Sequence, residues 1–546
     1  MHPRCGDRPV TRGAHGWRTM RALLVQSRSP RTYWSFEHSL PFIGKAATMP
    51  PLGLATLAAH LPDRWELRLR DLEVGPLDDA DLLWADAVLV SGMLVQAPSM
   101  REVVLRARAL GRRTVVGGAG PSSAPERFPE ADHVFRGEAE GRLDLLVRAL
   151  AGDVPAAPRD LSPEGDGRPD LSLARVPRFD LVDLSRYANA SLQYSRGCPF
   201  HCEFCDIVEL FGRVPRVKTP EQVVAELDDL HGRGARGALF FVDDNFVGNR
   251  REVARLLPVL RAWQERHGFP FQLCTEASLD LAGAPELVSA MVAAGFQEVF
   301  VGIETPSAAA LAETGKRQNL RVPAARAVEE LTRAGLEVFA GFIVGFDSEG
   351  PDIFDRQLEL ISGLPIPRAM AGVLMALPGT RLWRRLEAEG RLREESAGDN
   401  CARPNFVPAM DERALLSGYR RLVEALYAPA AFYARCALVI DQLPVRARAV
   451  ADAGADEGAL AALGRVAWGI GVRSPRRRLF WRLVAHALRR GAGAVPRALA
   501  LAVIGESLIP YTREVVLPRI DRALAELGAR ASTPVAGAAA VPGLAG

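Results

Sequence analysis

Twice along this chain, short β-branched and aromatic runs alternate with stretches of helical periodicity. That alternation restricts the fold more than any other feature. From Arg21 to about Leu150 the runs are RALLVQS, WELRLRDL, DAVLVSGM, RTVVGG and DHVFRG, separated by helical patterns such as PLGLATLAAHL and SMREVVLRARALG. Strands joined through helices pair in parallel and are covered on both faces, which predicts a doubly wound α/β domain over residues 20–150. The Pro-, Asp- and Gly-rich stretch GDVPAAPRDLSPEGDGRPDLS marks a boundary, and residues 151–188 read as a linker. A second series runs through SLQYS, GALFFVDDN, FQLCTEASL, EVFVGIET, EVFAGFIVGF and AGVLMALPGT, over residues 189–395. Its spacing of roughly 30–45 residues suits six repeated βα units. Thr219-Pro220-Glu221-Gln222 opens its first helix, with a threonine cap, a first-turn proline and a glutamine at the capping-box position. Residues 396–531 turn helical, with arginine-rich and apolar segments broken by proline. Residues 1–19 and 532–546 read as a disordered extension and tail, with Met20 as an alternative start.

Composition removes several classes of function. Hydrophobic residues make up 48% and charged residues 24%, an ordinary soluble balance. The net charge of +3 is too small to argue for nucleic acid. No uninterrupted apolar run has transmembrane length, and the amino terminus lacks the apolar core of a secretory signal. Seven cysteines in 546 residues are too few, and odd in number, for a disulfide framework. A reducing cytoplasm fits them better.

Three of those cysteines, Cys198, Cys202 and Cys205, fall within eight residues in the pattern C-x3-C-x2-C. Chance would produce this spacing on the order of once in a thousand such chains. Structural zinc takes four ligands, and His201, the nearest further donor, lies inside the cysteine loop and would strain it. An iron–sulfur cluster on three thiolates fits best. Because clusters normally take four cysteines, one iron is left open. Cys274, Cys401 and Cys436 read as buried hydrophobes, with no second cluster.

The motif, read as C-x3-C-x-aromatic-C with Phe204 at the aromatic position, resembles the radical S-adenosylmethionine (SAM) superfamily. The resemblance implies a [4Fe-4S] cluster on Cys198, Cys202 and Cys205, with SAM chelated to the open iron and cleaved to a 5′-deoxyadenosyl radical. It also implies a partial (β/α)6 barrel, with Phe204 packed near the adenine. In such barrels the chemistry sits where strands end. By the resemblance Asp243, Asp244, Glu276 and Glu304 face SAM, while Gly341 and Gly345 let the backbone approach the adenine. Strand termination and helix capping is the alternative for each carboxylate.

The doubly wound domain resembles the Rossmann-like cobalamin-binding domain of the B12-dependent subclass, in MPPLGLATLAAHLP, VSGMLVQ, VVGGAGPSS and RGEAEG. The D-x-H-x-x-G motif is absent. The expectation is therefore cobalamin held without a histidine ligand, its site lined by Ser91, Gly92, Gly117, Gly118 and Glu138. His38, His60 and His133 read as ordinary residues, and a Rossmann-like domain without cofactor is the alternative. CEFCDIVELFGRVPRVKTPEQVVAELDDL and FFVDDNFVGNRREV resemble a bacterial group of B12-type radical SAM proteins that includes the hopanoid C-2 methylase. The likeness runs from about Met20 to at least Tyr433 and includes the carboxy-terminal helical extension, in NFVPAM and GYRRLVEALYAPAAFYARC. It implies a methyltransferase acting on an unactivated carbon of a lipid, terpenoid or other secondary metabolite, using two SAM molecules. One SAM supplies the methyl group to cobalamin, and the other is cleaved. An electron donor such as flavodoxin or ferredoxin is implied as partner, and no nucleic acid. A radical rearrangement or cyclisation, with or without cobalamin, is one alternative, and a non-enzymatic cluster-bearing regulator is another. Finally, SPRRRLFWRLVAHALRR combines Arg476, Arg477, Arg478, Arg482, Arg489 and Arg490 with Leu479, Phe480, Trp481, Leu483, Val484 and Leu488. It reads either as a helix lying on an anionic membrane or as one packed on the barrel with its arginines solvated.

Overall fold

Two parallel sheets carry the chain. The computed structural model describes residues 19–163, 165, 167–394, 398–401, 403–445 and 457–532. The extension and tail expected at 1–19 and 532–546 lie, apart from residues 19 and 532, outside the described residues. The first sheet comprises β1 (Arg21–Gln26), β2 (Glu66–Asp71), β3 (Ala87–Ser91), β4 (Arg113–Gly117) and β5 (His133–Phe135), in the order β2-β1-β3-β4-β5. All its pairings are parallel. Ala22 to Val25 and Ala87 to Val90 are buried on both faces, as the continuous apolar runs of such a sheet require. The order reverses between β1 and β3, which opens a crevice at their carboxyl ends.

The expected linker is a packed strap. The Val134 N–H donates to the Arg159 carbonyl at 2.7 Å and the Leu161 N–H to the Val134 carbonyl at 2.8 Å, which extends the β5 edge. Leu161, Leu171, Phe179 and Tyr187 are buried and hold the strap down between its Pro and Gly turns. The capping box at Thr219 forms as read, and the Gln222 amide also donates to the Leu171, Ser172 and Ala174 carbonyls. One glutamine thus starts a helix and fastens the strap to it.

The second sheet contains β6 (Ala190–Leu192), β9 (Gly237–Phe241), β10 (Phe271–Ala277), β11 (Phe296–Glu304), β12 (Glu337–Val344) and β13 (Ala369–Val373), in the order β13-β12-β11-β10-β9-β6. It is a six-stranded open barrel. Between β6 and β9 a small antiparallel hairpin, β7 (Ser195–Arg196) with β8 (Arg216–Val217), brackets the cysteine loop. Trp34, carried by the segment after β1, packs inside the barrel with ring centroids 5.5 Å from Phe300 and 6.1 Å from Phe339. The carboxy-terminal helices cover β13, where Tyr419 and Tyr427 donate to the Ala371 and Ala369 carbonyls at 2.9 and 2.6 Å. Arg497 reaches the amino-terminal ends of the strands and, with Arg368, pairs Glu298 and Glu337. The helical stretch Ala492–Ala529 is long and apolar enough to cross a membrane by length and composition, which the sequence reading did not find. Half of its most apolar window is buried inside the fold.

Candidate functional site

The cysteine loop is fixed at its entrance by the end of β9. Phe240 and Val242 line the interior, so by the two-residue period of a strand Asp243 points away from it. Asp243 is 1% exposed and accepts from the Tyr194 N–H at 3.1 Å and from the Ser195 N–H. That corrects its expected role: both oxygens are used in binding backbone, not SAM. Asp244 accepts from the Gly197 N–H at 2.9 Å and so positions the residue before Cys198. Gly197 has φ +98°, and a Cβ there would come within 2.8 Å of the Gly212 carbonyl, where the loop's two ends cross. The far side is held by Glu203, which pairs with Arg385 at 2.7 Å, and by the Glu203 N–H bonded to the Thr314 carbonyl.

Two side-chain amides aim at the sulfurs. Asn245 Nδ2 lies 3.7 Å from Cys198 Sγ, and Gln318 Nε2 lies 3.6 Å from Cys202 Sγ. Such donors favour the thiolate form that a metal centre requires. Burial, the largest cause, pushes the Cys198 and Cys205 thiols up, and a bound cation would favour their thiolate forms. Among the described residues, no three His, Cys, Asp or Glu side chains converge on a point where one metal ion would sit. Three thiolates with no fourth protein ligand in the motif fit a cluster with one open iron, the donor set that the C-x3-C-x2-C spacing supplies.

Beyond the loop, Glu276 at the end of β10 faces the interior. It has no hydrogen-bond or ion-pair partner among the described residues, and burial, with Asp244 and Asp243 nearby, pushes its carboxyl up to about 8. A carboxyl held this way would accept a cationic ligand group, such as an ammonium or sulfonium. Glu304 is spoken for by Lys316, a residue the sequence reading missed. Glu304 sits at φ +66° after a register shift in β11, and its carboxylate crosses the face of Gly302, where a Cβ would overlap both it and the Lys316 ammonium. Lys316 also lies 5.8 Å from the centroid of Phe204, whose ring packs 5.9 Å from Phe346. Phe204, Glu304 and Lys316 therefore form one corner of the site. Gly341 and Gly345 are required by their own neighbours. The space a Cβ would take at Gly341 is closed by Phe300 at 3.1 Å, and at Gly345, φ +102°, by Leu415 at 3.3 Å. They make room for neighbouring side chains and a left-handed turn.

A chamber of about 1130 Å³ joins the two sheets. Ser91, Gly92, Gly117, Gly118 and Glu138 all line it, at the crevice of the first sheet. Phe240, Val242, Glu276 and Met370 line its barrel side, with Trp34 and Met49 from the segment after β1 and Tyr511 and Arg519 from the carboxy-terminal helices. Gly118 has φ +97°, and a Cβ there would stand 2.6 Å from Ser91 Oγ. At Gly120 it would stand 2.8 Å from the Met93 carbonyl carbon. The β3 and β4 loops thus close on each other and present bare backbone to the chamber, a cradle for a large planar group. No histidine lines it among the described residues. Glu138 lines the chamber and also pairs with Arg196 and Arg216 at 2.8 and 2.7 Å, while Glu140 takes Arg196 at 2.7 Å. Both arginines belong to the hairpin around the cysteine loop, and they are separated from the glutamates by more than fifty residues, a pairing no local pattern reveals.

Comparison with known proteins divides the chain in the same way. Residues 45–147 match the B12 binding domain, residues 192–361 the radical SAM superfamily, and residues 380–519 a domain of unknown function (DUF4070). The chain is 39% identical over 513 residues to an uncharacterized methyltransferase of Synechocystis sp., covering 92% of this chain and 94% of that protein. It is 37% identical over 504 residues to the hopanoid C-2 methylase of Rhodopseudomonas palustris, covering 91% and 95%. Among solved structures, the fold is similar to the cobalamin-dependent SAM radical enzyme OxsB with aqua-cobalamin bound, with a TM-score of 0.58 at 15% identity, over 94% of this chain and 84% of that one. It is also similar to the radical SAM methyltransferase TsrM from Kitasatospora setae with cobalamin and a [4Fe-4S] cluster bound, with a TM-score of 0.54 at 17% identity, over 68% and 75%.

Proposed function

Since the chain belongs to the B12-binding radical SAM methylases, the family that includes the hopanoid C-2 methylase, we propose that it methylates an unactivated carbon of an apolar, lipid- or terpenoid-like substrate. The observation that carries the substrate class is the barrel half of the chamber. Trp34, Met49, Phe240, Val242 and Met370 make an apolar wall opposite the glycine loops, and Glu276 is the acidic group among them. An apolar body fits the aliphatic and aromatic part of this wall, and Glu276 is left for a cationic group.

When bound, the cluster supplies an electron to SAM and cobalamin supplies the methyl group. The chain's own residues do the placing. Cys198, Cys202 and Cys205 hold the cluster, with Asn245 and Gln318 donating to two of the sulfurs. Asp244 sets the loop's entrance, and Glu276 offers a carboxylate to the positive end of SAM. The Glu304–Lys316 pair and Phe204 shape the opposite corner. The β3 and β4 loops seat cobalamin by backbone contact, and the segment after β1 and the carboxy-terminal helices, which line the chamber, keep water from the reacting carbon. The test is expression in a bacterium that makes polycyclic triterpenoids, followed by mass spectrometry of its lipid extract after feeding methyl-labelled methionine. The reading expects a new lipid heavier by one labelled methyl in place of hydrogen. Cleavage of SAM by the purified protein with no label in any lipid would move the substrate out of this class.

A further inference from the structure

We propose that the carboxy-terminal helices dock this protein onto the surface of an anionic lipid bilayer. The helix Glu457–Trp468, the turn Gly469–Arg473 and the helix Arg477–Arg490 leave an apolar face uncovered among the described residues. Leu460, Leu463, Trp468, Val472, Trp481 and Leu488 are each between 48% and 59% exposed. The turn gathers the two indoles: Trp481 Nε1–H donates to the Gly471 carbonyl at 2.9 Å, and the Arg473 guanidinium lies 5.7 Å from the Trp468 ring centroid. Exposed apolar residues scattered singly are ordinary, but two tryptophans and four aliphatics gathered around one turn are not.

Charge identifies the occupant. Between Glu457 and Glu506 the sequence has nine arginines and no acidic residue. Arg476 is paired with Glu506, Arg490 reaches Asp441, and Arg497 is used at the base of the barrel. Arg473, Arg477, Arg478, Arg482 and Arg489 have no carboxylate partner among the described residues. On the second helix they flank the outward positions Trp481, Ala485 and Leu488, while Phe480, Leu483 and Ala487 face the core. The helix thus divides the two sequence readings between its faces: one packs, the other is apolar with a basic border. Tryptophans at the water boundary with arginines beside them match the headgroup layer of an anionic leaflet. The face also lies close to the chamber. Arg465 donates to the Phe42 carbonyl at 2.9 Å, and the ring of Phe42 fills the space beside Gly469. Neighbouring Leu40, Ala46 and Ala47 line the chamber wall. The docking inference stands on these residues alone and does not depend on the substrate class.

Flotation of the full-length reconstituted protein with vesicles tests it. The expected result is binding to phosphatidylglycerol–phosphatidylcholine vesicles at low salt, weak binding to pure phosphatidylcholine, and release as salt rises. Arg477→Gln, Arg478→Gln and Arg482→Gln together should lower the partition coefficient on the order of 100-fold. Trp468→Ser with Trp481→Ser should abolish binding while SAM cleavage in solution stays unchanged, which shows that the variant is folded. Protein left at the bottom of the gradient at low salt would overturn the proposal. So would equal flotation of the arginine variant, or a dimer that the tryptophan change dissolves in the absence of vesicle binding, since a second copy would then be the occupant.

Discussion

Two carboxylates thirty-three positions apart separate structure from chemistry at the scale of single residues. Asp243 binds two backbone N–H groups, and Glu276 has no hydrogen-bond or ion-pair partner among the described residues. Asp243→Ala leaves buried donors unpaired at a cost on the order of 3 kcal/mol, so we expect a lower unfolding temperature and an unchanged SAM affinity in the folded fraction. A large affinity loss without loss of stability would reverse the assignment. Glu276 predicts the opposite, and with a pH signature. Its carboxyl, normally near 4.5, is raised to about 8, so the folded chain keeps a proton that the unfolded chain has released. Stability from this group is present below about 4.5 and is lost as pH rises toward about 8. Glu276→Gln should flatten that slope in thermal unfolding of the cofactor-free protein. A cation beside Glu276 lowers its pKa, so SAM binding near neutral pH should release a proton, seen as a buffer-dependent heat in calorimetry. Equal heats in buffers of different ionisation enthalpy would count against Glu276 as the partner of SAM.

At the scale of elements, the hairpin β7–β8 ties the cobalamin-binding domain to the cysteine loop. Arg196 and Arg216 meet Glu138 and Glu140 with almost no solvent contact on the acids. Removing one side of such a network strands buried charge, at about 3–5 kcal/mol. Glu138→Gln with Glu140→Gln should therefore loosen both partners. Hydrogen exchange is predicted to rise in residues 195–217 as well as around 136–141, and a rise confined to 136–141 would show that the network does not couple the domains. This is also where the sequence stops being legible. C-x3-C-x2-C and the strand runs are local patterns, and from them the cysteine loop, both sheets and the glycine loops at the crevice were legible. Arg196 meeting Glu138, or Lys316 meeting Glu304, depends on how distant strands are placed. At Gly341 and Gly345 the sequence says only that a Cβ has no room. Phe300 and Leu415 fill that room, which only the packed structure shows. The Pro- and Gly-rich stretch looked like a tether because its composition hides four buried apolar anchors, Leu161, Leu171, Phe179 and Tyr187.

At the scale of the whole molecule, two sheets face each other across one chamber and bring three functions together. The crevice of the first sheet offers bare backbone, the second sheet offers the cysteine loop and Glu276, and the carboxy-terminal helices and the segment after β1 close the sides. The radical SAM half alone would cleave SAM, whereas methylation needs cobalamin in the same enclosure as the substrate. The absence of histidine among the lining residues makes the cobalt environment the sharpest property of that enclosure. Electron paramagnetic resonance of the Co(II) form, in protein reconstituted with iron, sulfide and cobalamin, reads that environment directly. One cobalamin per chain is expected, in a base-off state, with no superhyperfine splitting from a protein nitrogen. Splitting by a protein nitrogen, or a protein that retains its cluster and no cobalt, would contradict it.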